Sequence, residues 1–95
     1  MRITAAEIEK AILLAKAYGA TRLILFGSVL HSPDTAEDLD LACDGVQGWK
    51  LYELAGRLED ELHVPLDLVP LSPPNRFTEF IESEGKVLYE ARKTS

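Results

Sequence analysis

The sequence predicts an α/β (α+β) domain in which helices pack against a small β-sheet. Three observations carry that prediction. Apolar residues switch repeatedly between helical spacing and short strand-like runs. The segments so defined follow the order helix, strand, strand, helix, strand, helix, strand. Glycine or proline stands at most of their boundaries. With 95 residues, 46% hydrophobic and 27% charged, the chain suits one ordered domain spanning residues 1–95, with a limited core.

Thr4 followed three residues later by Glu7 is a capping-box pattern, and Ile8, Ala11, Ile12 and Ala15 recur on one helical face. Gly19 stops that helix after Tyr18. The run Thr21 to Phe26 forms a short buried strand that ends at Gly27-Ser28. Residues Val29 to Glu37 are expected to be irregular, with turn chemistry at Ser32, Pro33 and Asp34. Asp38 to Cys43 alternates strictly and predicts a second strand, closed by Asp44-Gly45. Leu51, Leu54, Ala55, Leu58 and Leu62 share one face of a helix between Gly48 and Leu62. Leu66 to Leu71, punctuated by Pro65 and Pro70, is a third strand. Pro73 and Pro74 open a helix that Gly85 ends, and Lys86 to Glu90 is the final strand. Phe77, Phe80 and Ile81 are expected on its core side, Trp49 in packing, Cys43 inert on the core side of its strand, and His63 solvated at a helix end.

Ten Lys and Arg against sixteen Asp and Glu give a net charge of −6, and no basic run exceeds Arg92–Lys93. That balance argues against direct nucleic-acid binding and against docking on an anionic membrane. A single cysteine cannot form an internal disulfide, which makes a cytoplasmic, reducing setting the expectation. No stretch has the length of a membrane span, and the opening residues lack the apolar core of a signal peptide.

The chemistry-bearing residues fall into three groups. Asp38 and Asp40, two apart in a strand, point the same way, while Leu39, Leu41 and Cys43 point to the core. Such a pair is either a solvated strand face or a divalent-metal site, since Mg²⁺ takes one or two carboxylates plus substrate phosphates. Gly27 allows close approach to the backbone after a buried strand, and Ser28 offers a hydroxyl and an N–H suited to phosphate; a plain turn is the alternative. Asp67 lies inside an apolar strand, where a carboxylate is costly unless it is paired, metal-bound or at an edge. If that strand lies beside the Asp38–Asp40 strand, the three carboxylates converge opposite the Gly-Ser turn, as metal-assisted phosphoryl or nucleotidyl transfer requires.

Leu25-Phe26-Gly27-Ser28, nine further residues, then Asp38-Leu39-Asp40-Leu41 resembles the signature of the DNA polymerase β-like nucleotidyltransferase superfamily. More narrowly, it resembles the minimal nucleotidyltransferase (MNT) family, including MNT antitoxins of HEPN/MNT toxin–antitoxin pairs. The resemblance implies the nucleotidyltransferase fold, with a small mixed sheet. It implies that Gly27 and Ser28 contact the triphosphate of ATP, that Asp38 and Asp40 bind catalytic Mg²⁺, and that Asp67 completes the metal site and helps activate the attacking hydroxyl. It further implies transfer of AMP to a tyrosine hydroxyl of a HEPN ribonuclease toxin, within a homo- or hetero-oligomer. The sequence departs from the family pattern at His31 and Ser32, where an arginine and a glycine are common, and at Glu37, where a small residue is usual. These departures motivate the alternative of a nucleotidyltransferase-like module that neutralises its partner by occlusion.

Overall fold

Four strands and four helices follow one another in a computed structural model that describes residues 2–91. Helix α1 (Ala5–Ala17) leads into strand β1 (Arg22–Phe26) and a one-turn helix α2 (Ser28–His31). Strand β2 (Leu39–Asp44), helix α3 (Trp49–Leu62), strand β3 (Leu66–Pro70), helix α4 (Arg76–Glu84) and strand β4 (Lys86–Glu90) complete the order. The expected Arg92–Lys93 pair lies outside the described residues. Among the described residues no helix is long and apolar enough to cross a membrane.

The strands form one mixed sheet in the order β3-β2-β1-β4. β1 pairs antiparallel with β2 and β4, and β2 pairs parallel with β3. A parallel neighbour cannot be reached by a tight turn, so α3 serves as the crossover between β2 and β3.

Strand alternation divides the core in two. Leu23, Leu25, Leu39, Leu41 and Cys43 face α1 and α3, where they meet Ala11, Ala15, Leu54, Leu58 and Leu62. Each buried leucine of α3 contributes about 2 kcal/mol of apolar transfer. The opposite sheet face carries a smaller cluster, in which Ile24, Phe26 and Ala42 pack with Leu71 and Ile81 of the α4 side. Among the described residues this face is covered by α4 and by Leu71 after β3, and Val69 of β3 packs against the same cluster.

Local signals explain the boundaries. Thr4 and Glu7 close the capping box at the start of α1, and Gly19 after it adopts φ 88°. Gly85 ends α4 for a steric reason: its backbone is extended, and a Cβ there would stand 2.5 Å from Ile24 Cγ2 and 2.6 Å from the Ile81 carbonyl. His63 is exposed and caps α3 in the left-handed conformation, its N–H donating to the Glu59 carbonyl at 2.8 Å.

Several expectations need correction. The segment after Gly27 is not irregular from Val29 onward, because Ser28–His31 forms α2, with Val29 buried beneath it. Asp38 is not part of β2, which starts at Leu39. The prolines do not open α4. Asn75 caps it instead, accepting from the Thr78 N–H while the Thr78 hydroxyl accepts from the Asn75 N–H, at 2.9 and 2.8 Å. Phe77 and Phe80 are not core: the buried face of α4 is Thr78 and Ile81, and both phenylalanines are more than half exposed. Trp49 is likewise 68% exposed rather than packed. Cys43 is buried as expected, and burial pushes its thiol up to about 11, so it stays protonated and inert.

Candidate active site

The central strand β1 ends at Phe26, and the chain then turns through Gly27. Gly27 has φ 84°, a conformation costly for any residue with a side chain. A Cβ at this position would collide with Asp40 Oδ2 and stand 3.0 Å from Asp40 Cγ. The missing side chain is therefore what lets the Asp40 carboxylate lie over the Gly27 backbone. Ser28 follows, exposed at the first position of α2.

Sheet register brings the carboxylates to this turn. Asp40 stands opposite Phe26 in the antiparallel pair and beside Asp67 in the parallel pair. Asp38, just before β2, is exposed, and Asp40 is half-buried. Asp67 is exposed because β3 is an edge strand, so of the alternatives left open for this carboxylate the structure shows the one at an edge. Partial burial raises the Asp40 carboxyl above the usual carboxylate range, and the nearby charges of Asp67 and Asp38 raise it further. Among the described residues no ion pair reaches any of the three.

No protein-family model and no curated protein matches the sequence. Solved structures do match. A protein described as a minimal nucleotidyltransferase is 31% identical, over 85% of this chain and 88% of its own, with a TM-score of 0.69. The chain belongs to the minimal nucleotidyltransferase family. A toxin–antitoxin structure with AMP-PNP shares its fold at TM-score 0.75 and 24% identity, covering 90% of this chain and 74% of the other. So does a complex of an MNT antitoxin with a tri-AMPylated HEPN toxin from Shewanella oneidensis, at TM-score 0.71 and 23% identity, covering 90% and 71%.

In this minimal nucleotidyltransferase the predicted site residues meet at one corner of the sheet. Gly27 touches Asp40 directly, Ser28 adjoins Gly27, and Asp67 and Asp38 act on Asp40 through their charge. The three carboxylates do not form a closed cage: among the described residues no group of three or more His, Cys, Asp or Glu stands ready to hold a metal ion. The donor set still fits Mg²⁺, which keeps several waters and uses one or two carboxylates together with substrate phosphates. A repulsive carboxylate cluster with no internal counter-ion is where such a cation lowers the energy most.

One neighbour of the site escaped sequence reasoning. Phe77 of α4 meets Phe26 edge to face, with ring centroids 5.9 Å apart and planes at 81°. Helical spacing put Phe77, Phe80 and Ile81 on one side of α4; of these only Ile81 is buried, and it shares the buried face with Thr78.

Proposed function

We propose that this protein is a Mg²⁺-dependent nucleotidyltransferase that moves AMP from ATP to a tyrosine hydroxyl of a partner HEPN-type toxin, and so acts as the antitoxin of the pair. The observation that carries this reading is the Asp40 carboxylate against the side-chain-free Gly27 turn, with Asp67 beside it in register. Family membership supports the reaction class. The antitoxin role is supported by the fold shared with an MNT antitoxin whose HEPN toxin partner carries AMP groups. The net charge of −6 suits a basic, RNA-cleaving partner.

The residues divide the work by position. The Ser28 N–H and hydroxyl donate to phosphate oxygens, and Gly27 keeps that approach free of side-chain atoms. Asp38, Asp40 and Asp67 would hold Mg²⁺, which supplies neutralisation of the charge that develops on attacking and leaving oxygens. Asp67, exposed on edge strand β3, takes the proton from the acceptor hydroxyl. The hydroxyl oxygen then bonds to the α-phosphorus, the bond from that phosphorus to the bridging oxygen breaks, and pyrophosphate leaves.

Co-expression with the cognate partner, followed by incubation with α-labelled ATP and Mg²⁺, tests this directly. Label should appear on the partner with the wild-type chain and vanish with Asp38→Asn/Asp40→Asn. The double variant should also lose neutralisation of the toxin. Neutralisation that survives in the double variant, without label on the partner, would replace this reading by occlusion.

A further inference from the structure

The α4 flank that borders the acidic corner carries two aromatic rings. Phe77 and Phe80 are 52% and 57% exposed. At roughly 100° per residue, the two share one flank of α4, while Glu82 lies on the other. Two contacts orient those flanks. The Phe77 ring meets Phe26, whereas Glu82 reaches Arg22, and Phe26 and Arg22 are the two ends of β1. The Phe77–Phe80 flank therefore faces the Gly27 turn. A row crosses the sheet from Asp67 to Asp40 to Phe26, and Phe77 continues it upward onto the helix.

We propose that Phe77, with Phe80 beside it, is the stacking ledge for the base of the incoming nucleoside triphosphate, and that it makes purine nucleotides the preferred donors. This rests on the nucleotidyl-transfer reading above and names its substrate class. The ledge is continuous, through Phe26, with the turn that receives the phosphates. Its two rings, bounded by the exposed Glu84 one turn after Phe80, match the size of a nucleobase better than the extended apolar area of a stable protein interface. Stacking uses the π-face that every base has, so it needs no base-reading hydrogen bonds, and the larger purine face gains more from it.

Calorimetric titration with Mg²⁺ and either ATP, GTP, CTP or inorganic tripolyphosphate separates the possibilities. The wild-type chain should bind ATP and GTP more tightly than CTP. Phe77→Leu keeps an apolar side chain on Phe26 but removes the flat face. It should weaken ATP and GTP roughly tenfold, on the scale of lost base–aromatic stacking, and leave tripolyphosphate unchanged. Phe77→Tyr should restore wild-type binding. Phe80→Leu, farther from Phe26, should give the same pattern at smaller amplitude, so the ledge remains testable even where Phe77→Leu loosens the Phe26 contact. ATP binding unchanged in both leucine variants, or tripolyphosphate weakened as much as ATP, would overturn the ledge alone. A wild-type chain that binds neither tripolyphosphate nor any nucleotide would overturn the nucleotidyl-transfer reading with it.

Discussion

At both ends of β1 the α4 side of the sheet is acidic, but among the described residues only one end is neutralised by a cation. At the Arg22 end, the guanidinium pairs with Glu82 of α4 and, at 3.0 Å, with Glu90 of β4. Asp44, its register partner across β2, accepts from the Ser72 hydroxyl at 2.9 Å and from the Gly45 N–H at 3.0 Å. At the Phe26 end, Asp38, Asp40 and Asp67 have no paired cation among the described residues, and Asp40 is held above the usual carboxylate range by burial and by its two neighbours. The first arrangement closes a structure. The second leaves charge unbalanced beside a turn whose glycine carries no side chain. Unbalanced charge of this kind is costly to a small domain, and under the proposed reading a bound cation would offset it.

The contrast can be broken most severely at Asp40. Asp40→Asn should lower nucleotidyl transfer by more than about 100-fold, because it removes a carboxylate donor from the centre of the row. The same change relieves like-charge repulsion, so thermal unfolding should show stability unchanged or raised by up to about 1 kcal/mol. A large loss of stability would mean that Asp40 has a structural partner after all.

Gly27→Ala attacks the same end through the backbone. The substitution forces a side chain into a left-handed conformation and against the Asp40 carboxylate. A loss of about 1–3 kcal/mol in chemical denaturation is expected, together with loss of transfer. Stability lost with transfer retained would show that Asp40 moves aside freely.

Arg22→Met tests the neutralised end. Glu82 and Glu90 lose their shared cation, and stability should fall by about 1 kcal/mol. Added salt should narrow the difference from wild type, because the pairs are partly exposed. Transfer activity should stay within about twofold, because Arg22 stands at the far end of β1.

The smallest effect is expected at Glu7, a carboxylate whose surroundings are the reverse of those at Asp40. It accepts from the Thr4 N–H at 3.0 Å, and that hydrogen bond, then the one with the Thr4 side chain, holds its carboxyl below the ordinary 4.5. A lowered folded-state value means that the contribution is complete above the unfolded value and is lost as pH falls through the folded one. The melting temperature should therefore drop slightly faster for wild type than for Glu7→Gln between about pH 5 and pH 3. Parallel curves would show that the capping box adds nothing in solution.

The sequence by itself determined the elements and most of their ends. Period 3.6 in α1 and α3, alternation in β2, and the glycines after Tyr18 and Glu84 are local signals that need no tertiary partner to be read. Gly27, Ser28, Asp38, Asp40 and Asp67 were legible as candidates for the same reason: their spacing along the chain is itself the pattern. Their meeting was legible only as a condition or through the family resemblance, because it depends on which strands become neighbours. Only the register of β2 between β1 and β3 sets Asp40 beside both Gly27 and Asp67, and only the edge position of β3 leaves Asp67 in water. Helix α4 makes the same point. Its spacing put Phe77, Phe80 and Ile81 on one side, and the packing of Ile81 against Ile24 and Ala42 buries Ile81 with Thr78 and leaves both phenylalanines outside. Local periodicity specifies a face, but which face is buried depends on the surface it meets, and that surface exists only once the sheet has formed.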